Sequence, residues 1–236
     1  MISFIVPAFN EEHELPTSLE AIRVAAQAAG GPFEIIVVDD ASTDATAEIA
    51  SRAGARVLPV SYRHIAAVRN AGARVAGGDV LFFVDADTCI QPAHVTGALA
   101  ALEAGYAGGG ARVEAHGPIP LWGRIFIRIF CAIYFALNLG AGAFLFTTRK
   151  NFLAIGGFDE QFFAGEEVYF TIALKKLGRF KLLREPIVTS GRKLRLYSGR
   201  AILARTLSIA LRGPRAARSR ERLGIWYDGK REGPIV

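Results

Sequence analysis

The sequence predicts an α/β domain organised around a mostly parallel central sheet flanked by helices. Over the first hundred residues, short apolar runs alternate with helically spaced segments. The runs carry almost no polar residue, which is how strands covered on both faces read. The polar clusters, Pro7 to Glu12, Asp39 to Asp44 and Asp85 to Thr88, fall at the ends of those runs. In open α/β sheets that is where ligands gather.

Taken in order, Ile2–Val6 reads as a strand and Glu14–Ala29 as a helix. Phe33–Val38 is a second strand, closed by Asp39-Asp40. Thr43–Ala53 is helical, with Ser42 or Thr43 placed to cap it, since a short hydroxyl can accept from the orphan amides of a first turn. Arg56–Val60 is a strand, Ile65–Ala76 a helix, Val80–Val84 a strand and Pro92–Ala104 a helix. The second half is less regular. Tyr106–Glu114 reads as a strand entered through Gly108-Gly109-Gly110, and Leu121–Leu139 is an almost wholly apolar segment. Ala143–Thr148 is a strand and Glu166–Leu177 a helix, with Phe180–Leu183 and Ile187–Ser190 as two short extended pieces. The expected organisation is one domain over residues 1–190 and a basic, helical extension over 191–236.

A chain of 236 residues that is 51% apolar suits a single domain with a large core and excludes global disorder. Ser3–Phe9 reads as a strand rather than a leader, so the expected location is cytoplasmic. Cys89 and Cys131 are far apart and set in apolar runs, as reduced core residues of a cytosolic protein are. The net charge of +6 is uneven: from Ser190 onward twelve Lys or Arg face three acids, giving +9 there and −3 over residues 1–189. Basicity belongs to the tail, where it suits an anionic surface. Nucleic acid is disfavoured because only Tyr197, Trp226 and Tyr227 stand among those arginines.

The clusters carry the chemistry. No glycines follow the first strand, so a dinucleotide fingerprint is absent there. Asp39 ends the second strand, where a carboxylate can accept from a base imide or a ribose hydroxyl; capping of the next helix explains the same turn. Asp85 and Asp87, two apart just past a strand, can reach one site if the backbone turns between them. Hard oxygen ligands favour Mg²⁺ or Mn²⁺, and a diphosphate leaving group needs such a cation. Arg69-Asn70-Ala71-Gly72 lies on the preceding helix, and an arginine there can fork onto a phosphate. His64 precedes Arg69 on the same helix. His13, His94 and His116 suit surface or capping roles.

Together these residues resemble glycosyltransferase family 2. The likeness rests on Ile-Val-Pro-Ala-Phe-Asn-Glu-Glu at 5–12, Val-Asp-Asp-Ala-Ser-Thr-Asp at 38–44, Arg-Asn-Ala-Gly at 69–72 and Asp-Ala-Asp at 85–87. Gly156-Gly157-Phe158-Asp159-Glu160 followed by Gly165-Glu166-Glu167-Val168 looks like the family's acceptor-side motif. The resemblance implies the GT-A fold, a Rossmann-like, mostly parallel sheet flanked by helices. It implies inverting transfer from a nucleotide-diphosphate sugar, with Mg²⁺ or Mn²⁺ as cofactor. It places Pro7, Ala8 and Glu11 in the nucleotide pocket, Asp39 at the base and Arg69 at the nucleotide or diphosphate. Asp85 would meet the ribose or metal and Asp87 the metal. The family's base is an Asp preceded by Glu; here Glu167 stands in the Asp position after Glu166, which leaves the choice between the two glutamates open. The Gln-x-x-Arg-Trp motif of processive members is missing, and Ser190-Gly191-Arg192-Lys193 occupies its region, so a single sugar is expected.

Two other classes compete. A haloacid-dehalogenase-like phosphatase also places Asp-x-Asp after a strand, but its Thr four positions past the first Asp is Cys89 here. A non-catalytic nucleotide-sugar binding protein would not need Asp87 and Glu167 together.

The acceptor is read from the second half. A membrane span through Ile119–Phe146 is disfavoured by Arg128, Asn138 and two glycines, and by the α/β sequence that resumes after it. An interfacial or substrate-covering helix and an ordinary core helix remain. Arg200–Arg212 reads as a basic amphipathic helix with Leu203, Leu207 and Leu211 on one stripe. An apolar helix beside a basic one is the composition of a protein resting on the inner face of an anionic membrane, which points to a lipid or lipid-linked acceptor. The alternative is that both helices cover sheet or dimer surface.

Overall fold

The computed structural model describes residues 1–116 and 120–191, together with Arg218. Its first half is the predicted alternation: β1 (Ile2–Ala8), α1 (Leu15–Ala29), β2 (Phe33–Asp40), α2 (Thr46–Arg52), β3 (Arg56–Val60), α3 (Ile65–Val75) and β4 (Val80–Val84). Then follow β5 (Thr88–Cys89), α4 (Pro92–Glu103), β6 (Gly108–His116), α5 (Leu121–Ala136), β7 (Phe144–Thr148), α6 (Arg149–Ala154), α7 (Glu166–Leu177) and β8 (Phe180–Ser190). The strands form one sheet in the order β3-β2-β1-β4-β7-β6-β8-β5.

The sheet is parallel from β3 through β4 and mixed beyond it. β7 runs antiparallel to both β4 and β6, β6 and β8 are parallel, and β5 is antiparallel to β8. All four strands of the parallel half therefore end on one edge, and the turns that leave them converge. Pleat alternation splits the core into two layers. Phe4, Phe82, Phe144 and Phe146 face α1 and α4, whereas Ile5, Val38 and Phe83 face α3 and the rings of Phe152, Phe158 and Phe170. Phe158 stacks on Phe170 with ring centroids 4.1 Å apart.

Two local expectations are corrected, and one alternative left open is narrowed. α2 begins at Thr46, after Ala45, and neither Ser42 nor Thr43 caps it. The Ser42 hydroxyl instead accepts from the Asn10 amide at 2.9 Å, and the Thr43 amide donates to the Asn10 side chain at 2.8 Å. The cluster after β2 is thus spent on holding the loop after β1. The two extended pieces after residue 180 form one strand, whose pairing with β6 slips between Ala111 and Arg112. Ala111 pairs with Leu183 and Arg112 with Pro186, so Arg184 and Glu185 are extra residues beside a proline that lacks an amide to donate. α5, read as apolar nearly all round, is not an ordinary core helix: Leu121, Ile125, Ile129 and Ile133 are 51–73% exposed. Among the described residues no helix is long and apolar enough to cross a membrane. Arg200–Arg212 lies outside the described residues.

α3 lies unusually close to the sheet. A Cβ on Gly72 would run into Ile5 Cγ2 and come 2.8 Å from Val38 Cγ2. That approach carries Arg69, one turn earlier, against the ends of the strands.

Candidate active site

The turns leaving the parallel strands enclose a cavity of about 360 Å³, a size that suits a small-molecule ligand. Its floor is built from β4. Past Val84 the chain turns, with the Thr88 amide donating to the Asp85 carbonyl at 3.0 Å, so Asp85 and Asp87 both line the cavity. The end of β8 supports Asp87: the Thr189 hydroxyl donates to Asp87 Oδ1 at 3.2 Å, and the Ser190 amide to its carbonyl at 3.2 Å.

Arg69 is the hub. It is 2% exposed, and its guanidinium donates to Asp85 Oδ1 at 2.8 Å, Glu166 Oε1 at 2.6 Å and the Gly142 carbonyl at 3.0 Å. Burial alone would favour losing the proton, but the carboxylates of Asp85 and Glu166 outweigh it and push the pKa further up. The rest of Arg69-Asn70-Ala71-Gly72 is structural. Asn70 donates to the Phe158 carbonyl and to Glu160, each at 2.8 Å, and accepts from the Phe158 amide at 2.9 Å. One motif thereby anchors the other, because the pinned segment is Gly156–Glu160. It leads to α7, which opens on Gly165 in the left-handed region at φ 73° with Glu166 and Glu167 in its first turn.

The two glutamates differ. Glu166 is buried and ion-paired with Arg69 at 2.6 Å. Glu167 lines the cavity, and its carboxyl accepts from the Tyr134 hydroxyl at 3.0 Å. Burial first, and then the Glu166 charge beside it, push its pKa up to about 8. Tyr134 itself is held neutral, by burial first and then by the Glu167 charge.

The wall opposite is made by Pro7, Ala8, Phe9 and Glu11 from the end of β1, with Asp40, Arg63, His64 and Phe163. Asp40 accepts from the Tyr62 and Arg63 amides at 2.6 and 3.0 Å. This holds Arg63 in the left-handed region, φ 50°, with its guanidinium 3.6 Å over the Phe9 ring.

Of the residues expected from sequence, Pro7, Ala8, Glu11, Arg69, Asp85, Asp87, Glu166 and Glu167 all line this cavity. Asp39 does not; it is buried, and its carboxylate accepts from the Ser42 amide at 3.3 Å, while its neighbour Asp40 faces the cavity. Sequence reasoning missed Tyr134, Arg63 and Phe163. Tyr134 had one readable signal, as a hydroxyl inside an otherwise apolar segment. Of the remaining histidines, His94 is buried at the start of α4 and completes a cap with Gln91.

A family model described as Glycosyl transferase family 2 matches residues 3–185. The chain is 35% identical over 102 residues to the undecaprenyl-phosphate 4-deoxy-4-formamido-L-arabinose transferase of Pectobacterium carotovorum subsp. carotovorum (strain PC1), covering 40% of this chain and 31% of that protein. It is 36% identical over 98 residues to an uncharacterized glycosyltransferase of Haemophilus influenzae, covering 39% and 31% respectively. The aligned part spans about a third of the length of these curated relatives. Among solved structures, S. aureus TarS 1-349 in complex with UDP-GlcNAc aligns with TM-score 0.62 at 20% identity, over 88% of this chain and 65% of that one. Glucosyl-3-phosphoglycerate synthase from Mycobacterium tuberculosis, in complex with Mn²⁺, UDP and phosphoglyceric acid, aligns with TM-score 0.63 at 20% identity, over 88% and 77%. At these identities the structural likeness establishes a shared GT-A fold.

Proposed function

The chain belongs to glycosyl transferase family 2, and from that premise we propose that it transfers a single sugar, with inversion, from a nucleotide-diphosphate sugar to the hydroxyl of a lipid-linked acceptor. The observation that carries the reading is the meeting, in one cavity, of two acid pairs fitted for opposite tasks. Asp85 and Asp87 supply hard oxygen donors at one turn, which fits Mg²⁺ or Mn²⁺. Among the described residues no three acids, histidines or cysteines form a cage of their own, so an ion here would complete its shell with water and the donor's phosphates. Bound there, it would neutralise the charge of the departing diphosphate. Arg69, fixed as a cation, adds positive charge beside it.

Glu167 has the complementary task. A carboxylate whose pKa lies near the working pH takes a proton most effectively. It would remove the acceptor hydroxyl's proton as that oxygen attacks the anomeric carbon from the side opposite the leaving group, which inverts the centre. Glu166 holds Arg69 and shapes Glu167 by its charge. The neighbours that carry UDP and Mn²⁺ support a UDP-sugar donor and a metal. A non-catalytic binder would have no use for a proton acceptor at this wall, and the family match sets the phosphatase reading aside. A thermal-shift screen of UDP-, GDP- and dTDP-sugars tests the donor. A ligand at ten times its Kd adds roughly 1.4 kcal/mol, a few degrees in midpoint for a chain this size. The shift should be largest for UDP-sugars with Mn²⁺ and small without it; no shift with any of them would defeat the reading.

The acceptor side rests on α5. Leu121, Ile125, Ile129, Ile133 and Leu137, spaced four apart, present an exposed apolar stripe along the helix and its end. Beside it runs a groove against β6 lined by Arg112, Arg124, Arg128 and Arg184. Tyr134 ties the same helix to Glu167. An apolar stripe next to arginines suits the surface of an anionic bilayer, and the relatives named for undecaprenyl-phosphate support a lipid-linked acceptor. We place the protein peripherally on the inner face of the cytoplasmic membrane, with residues 1–190 as the transferase domain and the basic residues of 191–236 adding attraction. Anionic liposomes should sediment the chain at low salt and release it at high salt, whereas neutral liposomes should not bind. Truncation after Ser190 should weaken binding. Retention in the supernatant with anionic vesicles at low salt would remove the membrane contact.

A further inference from the structure

The end of α5 is bolted to the helix that carries the candidate base. The chain leaves α5 through Asn138, in the left-handed region at φ 52°, whose side-chain amide donates to the Phe180 carbonyl at 3.2 Å. α7 holds the same segment twice. Lys175 Nζ donates to the Leu137 carbonyl at 2.9 Å, and the Thr171 hydroxyl accepts from the Gly140 amide at 3.2 Å. A Cβ on Gly140 would come 2.5 Å from Leu145 Cδ2 and 2.8 Å from Phe180 Cζ, so this close pass needs glycine. Tyr134 stands one turn before the anchor. Ile133 and Leu137 beside it are each 60% exposed, whereas its own hydroxyl turns inward, to Glu167 at 3.0 Å and the Gly140 carbonyl at 3.3 Å.

A carboxylate taken out of water needs donors to stay ionised. Arg69 gives its hydrogen bonds to Asp85, Glu166 and the Gly142 carbonyl, and among the described residues the Tyr134 hydroxyl is the side-chain donor that Glu167 receives. The charges nearest Glu167 pull both ways: Glu166 on its own helix opposes ionisation, and Arg69 from α3 favours it. Asp85 and Asp87 line the cavity from the turn after β4, with Glu11, Asp40 and Arg63 on the wall opposite. Tyr134 is held neutral, by burial first, and so keeps the proton it donates.

We propose that Tyr134 is the positioning residue of the transfer: its hydroxyl holds the Glu167 carboxylate ionised and in one orientation, which makes α5 part of the catalytic apparatus. This rests on the reading of Glu167 as the base and adds the group that holds it. A hydrogen bond to a carboxylate is roughly twice as strong as one between neutral groups. The phenol therefore favours the form of Glu167 that can take the acceptor's proton.

Tyr134→Phe removes this one oxygen and leaves every charged group named above in place. Melting midpoints without metal or nucleotide are read for the wild type, Tyr134→Phe, Glu167→Gln and the double variant. A carboxyl whose folded pKa lies above its unfolded value costs stability as pH rises through the interval between them, here from the ordinary 4.5 up to about 8. Loss of the phenol moves the upper end higher. The penalty of Tyr134→Phe should then be small near pH ~6.5 and larger by a few degrees near pH ~9.5. In the Glu167→Gln background it should be the same at both. A penalty independent of pH with Glu167 present would mark a packing role and overturn the proposal. Should Tyr134→Phe fail to fold, adding Glu167→Gln should restore the fold; a double variant equally unfolded would overturn it as well. Turnover is read as UDP released from the UDP-sugar that stabilises the protein most, with water in place of the acceptor. Water's oxygen attacks the anomeric carbon, the bond from that carbon to the diphosphate breaks, and the water's proton passes to Glu167. Tyr134→Phe should lose about tenfold in this rate near pH ~7, regain most of it near pH ~9.5 and keep its affinity for UDP. Equal losses at both pH values would also overturn the proposal. A wild type that neither binds UDP nor releases it would instead bring down the transferase reading.

Discussion

Glu167→Gln is expected to leave donor binding intact while turnover falls by about 10²-fold or more, the usual contribution of a positioned general base. Glutamine keeps the size of the side chain and still accepts from the Tyr134 hydroxyl, 3.0 Å away in the wild type, but it takes up no proton. The pH dependence gives an independent check. The acting form is the carboxylate, and burial followed by the Glu166 charge raises its pKa to about 8. Transfer should therefore rise as pH climbs toward that value, and the residual rate of Glu167→Gln should lack that limb. Glu166→Gln should behave differently. It removes one of two carboxylates that balance the buried Arg69, so its first effect is a lower thermal midpoint, as expected when a buried charge loses a partner. Stopped-assay turnover for both variants, alongside their melting curves, separates base from buttress. A dead Glu166→Gln beside an active Glu167→Gln would exchange the two roles.

The contrast between these neighbours also marks how far the sequence could be read. Adjacent glutamates on one helix are equivalent on paper. They become different only when Arg69, 97 residues before Glu166, comes to lie beneath one of them and Tyr134 beside the other. The parallel half of the fold was legible because each strand is a closed apolar run, and the site was legible where its residues end those strands, as Asp85 and Asp87 do. Legibility failed where a residue's partner is distant in the chain. Ser42, like Thr43, has the chemistry of a cap, yet Asn10 claims its hydroxyl. Asp39 and Asp40 both end β2, and only pleat direction decides that Asp40 meets the cavity. β5, two residues long, and α6, six residues long, are too short to show a period. Arg184-Glu185-Pro186 interrupts the apolar pattern of β8 and predicts two pieces, although pairing with β6 carries it through as one strand.

Asp87→Asn should abolish detectable transfer while the protein stays folded. Asp87 leaves the sheet at the end of β4, outside both core layers. Asparagine retains an oxygen that can accept from the Thr189 hydroxyl, so the link to β8 survives. What it loses is the negative charge that would hold a divalent ion against a diphosphate. Asp85 cannot make up the difference, because Arg69 already draws on its Oδ1 at 2.8 Å. Removing one preorganised electrostatic contact costs on the order of 10²–10³-fold in rate; removing the charge that retains a cation should cost at least that much. Titration of UDP with and without Mn²⁺ reads the same change without turnover. In the wild type Mn²⁺ should tighten UDP binding, and in Asp87→Asn the two curves should coincide. Metal-dependent affinity that persists in the folded variant would take Asp87 out of the site and leave the cation to Asp85 or to the phosphates alone.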